Sequence, residues 1–126
     1  MNLPADLKYT ATHEWVRLED GVLLIGITDP AQDMLGDLVY VGDVKVGAVL
    51  AAGETAGVVE SVKAASDIHA PVAGEITAFN EALEATPDLL NSDPYGTWIF
   101  KLRATDAAAV QSLLSADDYH GVVDAS

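Results

Sequence analysis

Val58-Val59-Glu60-Ser61-Val62-Lys63-Ala64-Ala65-Ser66-Asp67 reads as a strand running into a turn and out again. Apolar β-branched residues lead up to Lys63, small residues follow it, and Asp67-Ile68-His69-Ala70-Pro71 resumes an extended pattern. Lys63 is one of four lysines in a chain of formal net charge −14. The layout lifts its amine to the tip of a hairpin, within reach of an acylating enzyme. An ordinary exposed lysine is merely solvated; the surroundings of this one argue for more.

Outward from that hairpin, short extended segments punctuated by glycines continue in both directions. Glu14-Trp15-Val16-Arg17-Leu18 alternates, Glu19-Asp20-Gly21 turns, and Val22-Leu23-Leu24-Ile25-Gly26-Ile27 returns. Leu38-Val39-Tyr40-Val41 and Val44-Lys45-Val46 flank a Gly42-Asp43 turn. Further strands are expected over Thr55 to Val62, Gly74 to Phe79 and Trp98 to Arg103. Many short strands with regular turns predict a small barrel or sandwich. Gly53 and Gly74 lie on either side of Lys63 at similar spacing, as if two hairpin arms approached closely there.

Two helical stretches interrupt the strands. Thr28-Asp29-Pro30-Ala31-Gln32 offers Asp29 as N-cap, proline at the first helical position and a stop at Gly36. Thr105 is expected to cap a helix bearing Val110, Leu113 and Leu114 on one face, and Ser115 with Asp118 starts another turn through Tyr119. Both are expected to serve packing and not a site. The 126 residues are read as one domain, with 105–123 a C-terminal helical appendage.

Twenty acidic residues against six basic ones argue against nucleic acid and anionic membrane surfaces as partners. Without cysteine there is no disulfide framework and no thiolate nucleophile. Met1-Asn2-Leu3-Pro4-Ala5-Asp6 lacks the layout of a signal peptide, and apolar runs such as Val22-Leu23-Leu24-Ile25 are too short to span a bilayer. A monomer in a bacterial cytoplasm is the expectation, ahead of a processed mitochondrial matrix form.

Self-contained catalysis finds little support. His13, His69 and His120 are spread along the chain, so a metal site is not expected. His13 and Glu14 are adjacent and would face opposite ways on a strand. Ser61 and Ser66 have no recognisable His and Asp partners, and the glycines form no phosphate loop.

Thr12-His13-Glu14-Trp15-Val16, Gly26-Ile27-Thr28-Asp29, Ala31-Gln32, Leu35-Gly36-Asp37, the Lys63 run, Asn80-Glu81-Ala82-Leu83 and Asn91-Ser92-Asp93-Pro94-Tyr95-Gly96 resemble, in order, the H proteins of the glycine cleavage system. The closing Leu113-Leu114-Ser115 and Tyr119 extend the likeness over nearly the whole chain. The resemblance implies a mainly β hybrid barrel–sandwich, like the lipoyl and biotinyl domains, with short helices including a C-terminal one. It implies a non-catalytic carrier with lipoic acid in amide linkage to Lys63. It further implies that glycine decarboxylase loads an aminomethyl group on the arm and aminomethyltransferase passes the carbon to tetrahydrofolate. Dihydrolipoamide dehydrogenase then reoxidises the arm.

A free lysine amine, with a pKa of about 10.4, needs a lipoate ligase or lipoyl/octanoyl transferase to acylate it. Glu60, Ser61, Val62 and Ala64 are the residues such an enzyme would read. Biotin carriers place methionines around their lysine; Val62 and Ala64 stand here instead and favour lipoate. Thr12, Glu14 and Asp67 match the family's motifs and are expected to hold the cationic loaded arm by charge-assisted hydrogen bonds, shielded from water.

Two loops depart from the family pattern: Gly42-Asp43-Val44-Lys45-Val46-Gly47, and Pro94-Tyr95-Gly96-Thr97-Trp98, which is a residue shorter. Both are expected on the surface. The alternatives are an octanoyl or lipoyl relay in lipoate assembly, an unmodified acidic interaction module, and a hydrolase using Ser61 or Ser66.

Overall fold

A computed structural model describes residues 2–125. Among the described residues, nine strands form two antiparallel sheets. Strands β1 (Lys8–Tyr9), β2 (Glu14–Glu19), β3 (Val22–Ile27), β5 (Val49–Leu50), β8 (Gly74–Phe79) and β9 (Phe100–Ala104) make a six-stranded sheet in the order β1-β2-β3-β9-β8-β5. Strands β4 (Leu38–Gly42), β6 (Thr55–Ser61) and β7 (Ala65–His69) make the second, in the order β4-β6-β7. Inward residues of both sheets, among them Ile25, Leu102, Val59 and Ile68, share one buried cluster, as the two-residue strand period requires. Each fully buried Leu or Ile there contributes about 1.5–3 kcal/mol. The hybrid barrel–sandwich expected from the resemblance is thus the fold.

The β2–β3 hairpin pairs Glu14 with Ile27 and turns through Asp20 and Gly21, both at positive φ. The hairpin of β6 and β7 pairs Glu60 with Ala65 and so leaves Lys63 near the middle of the connecting turn. Helix α1 (Asp29–Leu35) follows β3; the short helices α2 (Ala82–Ala85) and α3 (Leu89–Ser92) precede β9. A 3-10 turn (Ala107–Ser112) and helix α4 (Ala116–Ala125) close the chain. Leu7, Tyr9, Trp15 and Tyr119 form a second buried cluster, which ties α4 to the β1–β2 end of the large sheet.

Several local expectations are corrected. Thr28, not Asp29, caps α1: its hydroxyl accepts from Ala31 N–H, and Pro30 stands one residue later than expected. Asp106 takes the capping role expected of Thr105, and the element it starts is 3-10 and not α-helical. Ser115 does accept from Asp118 N–H, as expected. Val44-Lys45-Val46 is no strand, because Asp43 and Gly47 both turn at positive φ; Val49–Leu50 pairs with β8 instead. The last strand starts at Phe100, two residues later than Trp98. Gly53 serves a turn at φ 86°, and the close approach at Gly74 is to β9, where a Cβ would meet Arg103 O at 2.4 Å.

The loop at 94–98 is a packing element, not a surface loop. Trp15 Nε1 donates to Pro94 O at 2.9 Å and Arg17 donates to Tyr95 O at 2.8 Å. The buried Tyr95 ring donates its hydroxyl proton to Asn2 O at 2.5 Å and accepts from Asp29 N–H at 3.0 Å. These bonds join β2 and the N-terminal segment to the start of α1.

Candidate functional site

The tip of the β6–β7 hairpin is closed by Ser61. Its backbone N–H donates to Ala64 O at 2.7 Å, and its Oγ accepts from Ala64 N–H at 3.0 Å and Lys63 N–H at 3.3 Å. Val62 N–H donates to Asp37 O at 3.3 Å, tying the tip to the segment after α1, while the Val62 side chain is 75% exposed. Ser61 therefore shapes the turn. Glu60, Lys63 and Ala64 are exposed.

Lys63 lies along Gly36, the residue that ends α1. A Cβ on Gly36 would meet Lys63 Cε at 3.4 Å, and Gly36 has φ 82°, so glycine is favoured both by space and by backbone. The amine forms no salt bridge among the described residues. An exposed, unpaired amine between small neighbours has the room that amide formation with an acyl group needs.

Thr12, Glu14 and Asp67 do come together. With His13, Met34 and Leu35 they line a cleft of about 140 Å³ between the start of β2, α1 and β7. That is below the roughly 300 Å³ at which pockets enclose a whole small molecule, and suits the terminal atoms of an arm. Helix α1 is thus part of the site, contrary to its expected role in packing alone: Ala31, Met34 and Leu35 form one wall, and Gly36 backs the lysine.

The two carboxylates differ sharply. Glu14 is 1% exposed and saturated. Its Oε1 accepts from the Thr10 and Thr12 hydroxyls, each at 2.5 Å; its Oε2 accepts from His69 N–H at 3.1 Å and lies 3.3 Å from His69 Nδ1. About four lone-pair positions exist on a carboxylate, and four donors stand around this one. Glu14 is therefore no solvated strand residue. Asp67 is exposed on the same cleft, with no side-chain hydrogen bond among the described residues. Thr10 and His69 escaped the sequence reading. The strand period carried the signal for His69, since residues 67 and 69 share a face of β7.

His13 and Glu14 do not face opposite ways, because His13 precedes the strand and sits at φ 74°. Both line the cleft. His13 Nδ1 is 2.7 Å from Tyr119 Oη, which is 2.7 Å from Thr28 Oγ1. Tyr119 is fully buried and stacked on Tyr9 at 4.9 Å. Burial holds the His13 pKa below the usual histidine value, with Glu14 opposing. Burial also pushes Tyr119 up to about 12, with its bond to Thr28 opposing.

A two-sheet β fold with a lysine at the apex of an exposed hairpin, beside a small cleft, defines a lipoyl-domain-like carrier of the barrel–sandwich type. The model of the glycine cleavage H-protein family matches residues 7–126, and the chain belongs to that family, the lipoyl carriers of the glycine cleavage system. It is 63% identical over 122 residues to the glycine cleavage system H protein of Bordetella pertussis, covering 97% of this chain and 98% of that protein. It is 58% identical to that of Neisseria meningitidis serogroup B over 125 residues, covering 98% of each. The crystal structure of a glycine cleavage system H protein from Mycobacterium marinum superposes with a TM-score of 0.85 at 42% identity, over 94% of this chain and 96% of that one.

Proposed function

We propose that Lys63 carries lipoate in amide linkage and that this chain is a non-catalytic carrier for glycine decarboxylase, aminomethyltransferase and dihydrolipoamide dehydrogenase. The observation that carries the reading is the hairpin tip: an unpaired amine, held forward by the Ser61 turn and flanked by Gly36, with a carboxylate-lined cleft beyond α1. Bound lipoate would supply a disulfide that opens to take the aminomethyl group on one sulfur and a proton on the other, leaving a dithiol only once that group has been passed on. The chain's residues position, shield and release.

A lipoate ligase or lipoyl/octanoyl transferase would read Glu60, Val62 and Ala64 on a turn whose shape Ser61 sets. Asp67 is the carboxylate with free acceptor positions and meets the cationic cargo first. Glu14, already saturated, fixes Thr10, Thr12 and His69 and supplies negative potential from beneath. Thr12 is the hydroxyl that exchanges its bond to Glu14 for one to the cargo. Residues 1–126 act as one carrier unit with 105–123 as its packed appendage, working as a monomer in a bacterial cytoplasm. Among the described residues no helix is long and apolar enough to cross a membrane. Family membership favours this role over a relay in lipoate assembly.

Intact-mass analysis of wild type and Lys63→Arg after incubation with a lipoate ligase tests the attachment. One lipoyl increment on wild type and none on the variant is expected. No increment on wild type, or one retained by the variant, sinks the assignment.

A further inference from the structure

A line of hydrogen bonds runs from the first turn of α1 into the cleft, and its direction can be worked out. Thr28 is fully buried. Its Oγ1 already accepts from Ala31 N–H at 3.2 Å, and Tyr119 Oη, at 2.7 Å, is its one other side-chain hydrogen-bond partner among the described residues. A buried hydroxyl proton without an acceptor is costly, so Thr28 donates to Tyr119. Tyr119 has a single proton, which then points to His13 Nδ1 at 2.7 Å. Nδ1 must be bare to accept it, and the proton of the neutral ring therefore sits on Nε2. The reverse direction would leave the Thr28 proton with no acceptor.

We infer that Tyr119 is a positioning residue that locks His13 as the neutral Nε2–H tautomer, so that no basic ring nitrogen faces the loaded arm. The inference rests on the cleft receiving that arm. Water removes the cargo by converting R–S–CH2–NH3+ and H2O into R–SH, CH2O and NH4+. A general base beside the methylene carbon would take a proton from the attacking water and speed this loss. Imidazole is the side chain best suited to that work near neutrality, and one lines this cleft. With Nδ1 occupied by Tyr119 and Nε2 protonated, it has no lone pair to offer. Nε2–H can still donate to the arm's sulfur and leave the ammonium group to Asp67.

The remaining features agree. His13 is held at φ 74°, an uncommon conformation that Asn, Asp and His enter more readily than other side chains, and it turns the ring toward Tyr119 instead of along the strand. Tyr119 keeps its proton near neutral pH, as a donor must. The titratable groups near the ring are Glu14 on its own segment, which bonds His69 in turn, Asp67 from β7, Tyr119 from α4, and Tyr9 stacked behind Tyr119. Burial, the larger effect, opposes the imidazolium, and Glu14 favours it.

The test uses the lipoylated protein. Nitrogen-15 NMR of the His13 ring in wild type should show one neutral tautomer, protonated on Nε2. Tyr119→Phe keeps the stacked ring and removes the bridge; the His13 titration midpoint should rise, because the neutral form loses a donor. After loading, hydrolytic loss from this variant should be severalfold faster and should rise with pH through that midpoint. His13→Asn, which suits the positive φ and has no basic nitrogen, should return the loss rate of Tyr119→Phe to that of wild type. A wild-type ring protonated on Nδ1, or a midpoint unmoved in Tyr119→Phe, overturns the lock. Asp67→Asn and Thr12→Val leaving the loaded lifetime at the wild-type value would overturn the reading of the cleft itself, whatever the ring shows.

Discussion

The hairpin tip at Lys63 and the floor of the cleft at Glu14 meet across α1, and they are built in opposite ways. The tip is exposed and closed by one serine, and its amine has no salt-bridge partner. The floor is buried, and every acceptor position of Glu14 is taken by a donor from the same protein. A tether must be free to visit several partners, so ordering it would work against its use. A receptor for a cation must be ordered in advance, since reorganising polar groups at the moment of binding weakens the attraction. The difference predicts that substitutions at the tip change chemistry and leave stability alone, whereas substitutions on the floor change both.

The largest effect belongs to the tip. Lys63→Arg should abolish glycine-dependent turnover with the three partner enzymes, because no lipoyl amide forms on a guanidinium. Its denaturation midpoint should stay that of wild type, as surface substitutions usually lie within about 0.5 kcal/mol. A large loss of stability would break the contrast between the regions. Next comes the floor: Glu14→Ala strips the acceptor from two hydroxyls and the His69 N–H, and should cost about 2–4 kcal/mol in urea denaturation. The same variant should hold its loaded arm for less time. Unchanged stability would show that Glu14 is not the anchor its four donors suggest. Asp67→Asn, at the rim, sharpens the comparison further. Stability should be unaltered and the loaded lifetime shortened severalfold, which separates contact with the cargo from support beneath it.

How far the sequence carried these statements depended on range. The strand-turn-strand around Lys63 was legible because every determinant lies within ten residues: the β-branched approach, the small residues and the two-residue period. The helix stop at Gly36 was legible for the same reason, although not its second use against the lysine stem. Glu14 was singled out from its motif, but its burial was not legible, since it depends on Thr10 and on His69, 55 residues away. The cap of α1 slipped by one residue because Thr28 and Asp29 are both good caps, and the choice was made by Tyr119, 91 residues distant, which claims the Thr28 hydroxyl. The 94–98 segment looked like a loop and is one by backbone; its buried role comes from Trp15 and Arg17, which no local pattern reveals.

The smallest expected effect probes the border between the two regions, where His13 belongs to the cleft by position and to the tyrosine cluster by bonding. Its folded pKa is lowered from the ordinary 6.5, chiefly by burial. The folded state therefore binds fewer protons than the unfolded chain between the two values, and stability must rise with pH there. The contribution is fully present above 6.5 and is lost as pH falls through 6.5 toward the lowered value. His13→Asn removes the titrating ring, so its stability curve should lack this component. Thermal midpoints of both proteins from about pH 7.5 to about pH 5 should draw together on acidification, on top of a constant offset from the lost Tyr119 bond. A gap that stays constant across that range would mean the ring is no more buried than the Lys63 tip, and that the cleft's histidine is free to take up protons as the tether's surroundings are.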